Sequence, residues 1–269
     1  MKYKLKIKLI NFLNLFINHF HIHIDTSINK KNFIDLIYLM KVKDLGFNLI
    51  RVGSKNDGGY LIPDILSEID YCFSPGVGNK YEFEKELRKK NIDLFLVDGS
   101  VEKDDIKIDK FNFLKKNLSS KDNDEEITLE NWVNNNLSNS NSNLLLQMDI
   151  EGSEYEVINS TSLKCLKSFK ILIIEFHYFE KLTNRLNYNI FLNCIKKILE
   201  NFEIAHIHPN NCNGTFNLFD EKIPTAIEVT FLRKDLCKKK ENVKTLPHKY
   251  DQKNIINLPD VKLSKRWYN

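Results

Sequence analysis

A doubly wound α/β domain, built on a mostly parallel sheet of seven strands with an antiparallel closing strand, is the fold class this sequence predicts. Three observations carry that expectation. From residue 69 onward, short apolar, β-branched runs alternate with longer amphipathic segments, the pattern of strands joined by crossover helices. The last two apolar runs, residues 202–208 and 226–232, have only a loop between them, so they form a hairpin and one of them must run against the rest of the sheet. The acids and glycines able to carry chemistry stand directly after the runs, where open α/β sheets bind ligands at the carboxyl ends of their strands.

The elements follow in order. IDYCF (69–73) reads as a first strand, YEFEKELRKK (81–90) as the helix after it, and DLFLV (93–97) as a second strand. FNFLK (111–115) makes a third strand and TLENWVNN (128–135) a helix; NLLLQM (143–148) is a fourth strand, entered through the low-complexity linker NNNLSNSNSN. EYEVINS (154–160) opens another helix, KILIIEF (170–176) is a fifth strand, and RLNYNIFLNCIKKILEN (185–201) has helical periodicity. FEIAHIH and AIEVTFL close the sheet. This divides the 269 residues into an N-terminal basic and apolar arm or helical appendage (1–45), a Rossmann-like domain (46–233) and a basic C-terminal extension (234–269).

The N-terminal stretch alternates Lys with apolar residues; a strand, an amphipathic helix and a dimer arm all fit it, so a homo-oligomer stays open. Asn11, Asn14 and Asn18 interrupt its apolar run, which argues against a spanning helix of about 20 apolar residues, and no small-residue cleavage site follows. His19, His21 and His23 would share one face of a strand, and surface histidines are their default reading. Cys72, Cys165, Cys194, Cys212 and Cys237 are odd in number and never in CxxC spacing, which excludes a disulfide framework and a structural zinc finger and fits a cytoplasmic location. The net charge of +4 is uneven. Residues 1–31 carry six Lys against one Asp, and residues 233–269 carry eleven Lys or Arg against four acids, leaving an acidic middle. An acidic body excludes a nucleic-acid groove, which needs a basic stripe. The basic ends read as solvated tails, with peripheral contact at the inner face of an anionic membrane as the alternative.

The first strand leads into SPGVGN, where Gly76 and Gly78 let the backbone turn tightly and approach a ligand. Asp98 ends LFLVD twenty positions beyond Gly78, where an acid can hold ribose hydroxyls. Asn79, Lys80 and Tyr81 follow Gly78, so the third Gly of GxGxxG is missing; a nucleoside without a pyrophosphate fits better than NAD and favours S-adenosylmethionine. The fourth strand runs into DIEGSEYEVI. Ser153 or Glu154 can cap the next helix, which leaves Asp149 and Glu151 for chemistry. The fifth strand ends in EFH, with Glu175 and His177 on one face and Phe176 on the other. Beside two carboxylate-bearing strand ends, His177 reads as a base or a metal ligand rather than a core histidine.

These residues resemble a family. MDIEGSEYEVI, the ITLENWV segment before it, IIEFH after it, and HIHPNNCNG followed by IPTAIEVTFLR are similar to FkbM-type methyltransferases over roughly residues 50–233. The resemblance implies a class I methyltransferase sheet and an S-adenosylmethionine-dependent O-methyltransferase acting on a sugar hydroxyl of a glycan or nucleotide-linked sugar, of the capsule or surface-polysaccharide type. It implies that Gly76, Gly78, Asp98, with Gly99 and Ser100 beside it, and Asp149 surround the donor. It places Glu151, Glu175, His177, His208, Asn210, Asn211 and Glu228 on the acceptor side. RVGSKNDGGYLI (51–62) resembles a lead-in segment of capsule-type members, in which Arg51, Asp57 and Tyr60 would cover the donor. The chain departs from the family in opening its first loop with Ser74 and Pro75 in place of an acid-rich D-x-G-x-G.

Methyl transfer to a poorly nucleophilic hydroxyl needs alignment and a proton acceptor, for which His177, Glu175, Glu151 and Asp149 are the candidates. A magnesium ion, if the reaction uses one, would be held by Asp149, Glu151 or Glu175; the sequence leaves this open. A nicotinamide-dependent oxidoreductase or epimerase of nucleotide sugars would require a third Gly and a Tyr-x-x-x-Lys pair, absent after the fourth strand. A degenerate fold serving as a binding module would not need Asp98 together with the acid and histidine cluster.

Overall fold

The computed structural model describes residues 2–17, 27–137 and 143–269. His19, His21, His23 and half of the Asn/Ser linker lie outside them. Two helices and a strand hairpin precede the sheet: α1 (Lys2–Ile17), α2 (Lys30–Leu39), β1 (Leu49–Gly53) and β2 (Gly59–Pro63). The sheet strands are β3 (Tyr71–Pro75), β4 (Asp93–Val97), β5 (Phe111–Leu114), β6 (Leu144–Met148), β7 (Phe169–Phe176), β8 (Phe202–Leu218) and β9 (Glu221–Arg233). Between them run α3 (Glu82–Lys89), α4 (Leu129–Asn136), α5 (Glu154–Ser160), α6 (Leu163–Lys167) and α7 (Arg185–Asn201).

The spatial order is β8-β9-β7-β6-β3-β4-β5. Five strands run parallel, β9 is antiparallel to β7, and β8 pairs with β9 as the other arm of the hairpin. This is a doubly wound sheet whose last strand inserts between the fifth and sixth, as the missing helix between residues 208 and 226 requires. Its core shows the strand period of two: Leu144, Leu146 and Met148 pack into one layer with Phe73, Trp132 and α7, while Leu145 joins the other with Cys72, Leu96 and Leu87. α7 is started by Asn184, whose side chain accepts from the Leu186 and Asn187 amides.

The structure extends the sequence reading in three places. The N-terminal stretch is helical, and no helix among the described residues is long and apolar enough to cross a membrane. β8 and β9 have 17 and 13 residues and carry HIHPNN through two register shifts, which a seven-residue apolar run does not reveal. The C-terminal extension is not a solvated tail: Leu263, Trp267 and Tyr268 join the same core as Ile28, Phe33, Leu36, Ile37 and Met40 of the N-terminal arm. The Val42 amide donates to the Trp267 carbonyl at 3.0 Å, and Lys43–Asp44 pairs with Glu241–Asn242. A few aromatic anchors among many charges suffice to fasten such a segment.

Candidate functional site

The loops after β3, β4, β6 and β7 meet on one rim of the sheet, covered by the β1–β2 hairpin and by residues 247–261. Gly76 and Gly78 both have positive φ, at 75° and 51°. They serve different ends. A Cβ on Gly76 would lie 1.7 Å from the Asp149 carbonyl oxygen, so this glycine is demanded by close packing of the loops after β3 and β6. A Cβ on Gly78 would meet nothing within 4 Å, so its face is open to a ligand. The Gly78 amide donates to Asp98 Oδ2 at 2.9 Å, and the Ser100 amide and hydroxyl donate to Oδ1 at 2.7 and 2.6 Å. Asp98 therefore fixes both loops and keeps about one of a carboxylate's roughly four acceptor directions for a hydroxyl. Gly99 is crowded by Asn117, whose side chain a Cβ would touch at 2.5 Å.

The hairpin residues divide similarly. Arg51 donates to the Ser54 and Asn56 carbonyls at 2.9 and 2.8 Å, holding its own turn. Asp57 pairs with Lys80 at 2.6 Å and accepts from Asn254 at 3.1 Å, tying the hairpin to the first loop and to the C-terminal segment. The buried Tyr60 hydroxyl accepts from Gln147 Nε2 at 3.0 Å and lines a small cavity with Gly76, Lys80 and Glu84. Ser74 Oγ lies 2.5 Å from Glu84 Oε1 and 2.6 Å from Gln147 Oε1. One serine proton can serve only one of them, so a protonated Glu84 completes the chain; burial pushes this carboxyl up to about 7. Glu84 thus supplies from α3 an acid that the Ser-Pro opening of the loop lacks.

The centre of the rim is His177. Its Nδ1 lies 3.0 Å from Glu154 Oε1, and its Nε2 faces Glu151 and Glu175 at 3.6 Å and Asp149 at 3.7 Å. The structure brings together all four residues expected to be catalytic. Burial would lower the His177 pKa, but the hydrogen bond and charge of Glu154, aided by Asp149 and Glu151, leave it raised. Burial also pushes Asp149 up to about 7, moderated by His177, and drives Glu175 well above the carboxylate range together with the charges of Asp149 and Glu228. Four acids around one imidazole cannot all stay ionised. The backbone here is strained: Glu151 and Tyr178, neither of them glycine, have φ of 54° and 61°. Gly152, at φ 106°, leaves no room for a Cβ, which would meet the Tyr178 ring at 2.4 Å.

The residues expected on the acceptor side lie across β7, β9 and β8, where Glu175, Glu228 and His208 are register partners. Asn210 donates to Glu175 Oε1 at 2.7 Å, and Asn254 joins Glu228 Oε1 at 2.6 Å to His208 Nε2 at 3.1 Å. Asn211 is spent on the chain itself: its side chain pairs with the backbone amide and carbonyl of Ile255, both at 2.9 Å. A cavity of about 570 Å³ opens here between Lys55 and Asn56 of the hairpin, His208 of β8, and Asp251 and Lys253.

Sequence reasoning missed Glu154, Glu84, Asp251 and Asn254. Glu154 is fully buried and accepts from the Ile150 and Gly152 amides at 3.2 and 3.0 Å as well as contacting His177; it orients the histidine instead of capping α5. The signal was the third acid of DIEGSE, absorbed by a capping reading that Ser153 does not fulfil, since it makes no capping bond. Asp251 and Asn254 lie more than forty residues from His206 and His208 and carry no local signal.

A doubly wound sheet with an open glycine turn, an acid at the tip of its second strand and a proton-accepting cluster at its fourth and fifth defines a nucleoside-binding group-transfer enzyme. The FkbM methyltransferase domain matches residues 41–198, so the chain belongs to that family and is an S-adenosylmethionine-dependent methyltransferase. No curated protein matches the chain closely enough to count as a relative. Among solved structures, it is similar at 8% identity to a protein described as an RNA methyltransferase from Pyrococcus horikoshii, covering 62% of this chain and 76% of that one with a TM-score of 0.32. A fibrillarin/Nop5p complex chain is also 8% identical, over 72% of this chain and 98% of that one, with a TM-score of 0.37. Overlaps this loose carry no functional information.

Proposed function

We propose that the protein methylates a sugar hydroxyl of a glycan or nucleotide-linked sugar, and that His177 takes up the hydroxyl proton. The observation that carries this reading is the Glu154–His177 pair: Glu154 holds Nδ1 at 3.0 Å, which directs Nε2 to the strand-end acids at the rim. The donor fits the opposite side, where Gly78 leaves open space and Asp98 retains a free acceptor direction for a ribose hydroxyl. Bound S-adenosylmethionine supplies an electrophilic methyl group. The chain's own residues do the rest. Asn210 and Glu175 offer a donor and an acceptor to neighbouring sugar hydroxyls, His177 Nε2 takes up the proton that the hydroxyl gives, and the carboxyl groups of Asp149 and Glu151, at 3.7 and 3.6 Å from Nε2, stabilise the imidazolium that forms. A carbohydrate suits a wall of paired acids and amides, because each hydroxyl can both donate and accept.

The test is incubation with labelled donor and a panel of nucleotide sugars and surface glycans, read by mass spectrometry. A methylated sugar lost in His177→Gln supports the reading, and methylation confined to other acceptor classes refutes it. Because the imidazole must be neutral to accept a proton, turnover should rise through a pKa above the ordinary 6.5 of histidine. Treatment with a chelator separates a metal-free base from a magnesium-assisted one, in which Asp149, Glu151 and Glu175 would be the ligands. The exposed Leu5, Leu9, Phe12 and Leu15 of α1, beside Lys6 and Lys8, support peripheral contact with an anionic membrane. Co-sedimentation with anionic vesicles lost on deletion of α1 would bear this out, whereas a fall in solution mass on the same deletion would assign the helix to a second copy.

A further inference from the structure

On the far side of the acceptor wall, His206 and His208 project from β8 towards Asp251 of the C-terminal segment. His206 Nε2 lies 2.8 Å and His208 Nδ1 3.4 Å from the same oxygen, Asp251 Oδ1. The two imidazoles and the carboxylate are almost completely buried. The second carboxylate oxygen is committed to the His248 amide at 2.6 Å.

The hydrogen bonds around His208 fix one of its protons. Both hydrogens of the Asn254 amide are engaged, by Glu228 Oε1 at 2.6 Å and Asp57 Oδ1 at 3.1 Å, so its oxygen must face His208. That oxygen accepts from His208 Nε2 at 3.1 Å, so Nε2 carries a proton. Nδ1, a buried atom with no hydrogen-bond partner, faces a carboxylate oxygen at 3.4 Å, so either a second proton or a cation stands between them. A proton on Nδ1 would have to bridge 3.4 Å, which is long for a charge-assisted bond of about 2.7–2.9 Å. Ligand atoms about 2.0–2.2 Å from a tetrahedral ion lie roughly 3.3 Å apart, which the 3.4 Å His208–Asp251 separation matches, while the 2.8 Å His206–Asp251 contact is a hydrogen bond that an ion would open by about 0.5 Å.

We propose that His206 Nε2, His208 Nδ1 and Asp251 Oδ1 bind a divalent transition-metal ion of the zinc class. All three atoms lie within 4.8 Å of one another. Two imidazoles and one carboxylate are the donor set such ions prefer over magnesium or calcium, and they leave a fourth position for water or a substrate oxygen. Asn254 gives His208 the outer-shell acceptor that metal-bound histidines generally have. The ion would pin the C-terminal segment to β8 and stand one strand from Glu228, on the wall of the cavity that His208 and Asp251 both line.

Titration of the chelator-treated protein with Co²⁺ tests this. A visible absorption band at one equivalent is expected, together with metal in the protein as purified and a higher melting temperature on adding Zn²⁺. His208→Ala and Asp251→Asn should each weaken Co²⁺ binding more than a hundredfold, and Asn254→Ala ten- to a hundredfold. Asp149→Asn should leave the band in place. Absence of any Co²⁺ band would overturn the proposal and assign the charge between His208 and Asp251 to a proton. A band that survives Asp251→Asn and His208→Ala but disappears in Asp149→Asn would overturn it too, by moving the ion to the His177 cluster. If His208→Ala fails to fold, the Zn²⁺-dependent melting shift in Asp251→Asn decides.

Discussion

Two clusters built from the same residue types behave in opposite ways. Around His177, Asp149, Glu151, Glu154 and Glu175 crowd one imidazole, so carboxylates outnumber cations and burial raises Asp149 and Glu175. Around Asp251, two imidazoles attend one carboxylate; burial alone would raise it, but the imidazoles hold it well below the usual range. The first cluster is open on one side, with Glu151 80% exposed and the flanking backbone strained, while the second is almost completely buried, facing the cavity that His208 and Asp251 line. An acid-rich, partly solvated cluster keeps protons exchangeable near neutral pH, which suits proton transfer. A charge-balanced, buried one fixes its protons or an ion, which suits fastening.

The largest expected effects separate the two directly. His177→Ala should lower turnover about 10²- to 10⁴-fold with little change in melting temperature or donor affinity. Asp251→Ala should instead destabilise the fold by roughly 3–5 kcal/mol, since it strands buried imidazoles without their counter-charge. Turnover numbers and urea melts on both variants check the pair, and a His177→Ala protein that melts early while turning over normally would invert the contrast. Next in size, Asp98→Ala should weaken donor binding by about 1–3 kcal/mol in calorimetry, because a charged hydrogen-bond acceptor is lost.

A smaller effect sharpens the electrostatic half of the comparison. Asp149, at about 7 when folded, stands above the roughly 3.9 of an unfolded aspartate, so the folded state holds the extra proton between those values. Its contribution to stability is complete below about pH 4 and is lost as pH rises towards 7. Asp149→Asn should therefore flatten the fall in melting temperature between pH 5 and 8, and an unchanged slope would show that the crowding at His177 is relieved some other way. The smallest effect belongs to the partly exposed Lys80–Asp57 pair, whose removal by Lys80→Ala should cost less than about 1 kcal/mol in the same melts.

Much of this was legible in the chain. DLFLV, EYEVINS and RLNYNIFLNCIKKILEN fold over the residues their periodicity marks, because alternation and helical spacing are local consequences of burying one face. Asp149, Glu151, Glu175 and His177 could be named together because parallel strands deliver their carboxyl ends to one rim. Arg51 and Asn211 could not be placed, since whether a polar group faces a ligand or closes a turn depends on neighbours that the sequence does not rank.

By itself, then, the sequence determined the parallel strands from residue 69 onward, the antiparallel closing hairpin and which strand ends bear acids and histidine, for these follow from short-range patterns. Tertiary structure alone decided that Glu154 orients His177, that Glu84 stands in for a loop acid, and that residues 247–261 return to set Asp251 and Asn254 against β8. The physical reason is range. A hydrogen bond or a desolvated charge depends on contacts a few ångströms away in space, and in these cases the partners are separated by ten to nearly fifty residues of chain.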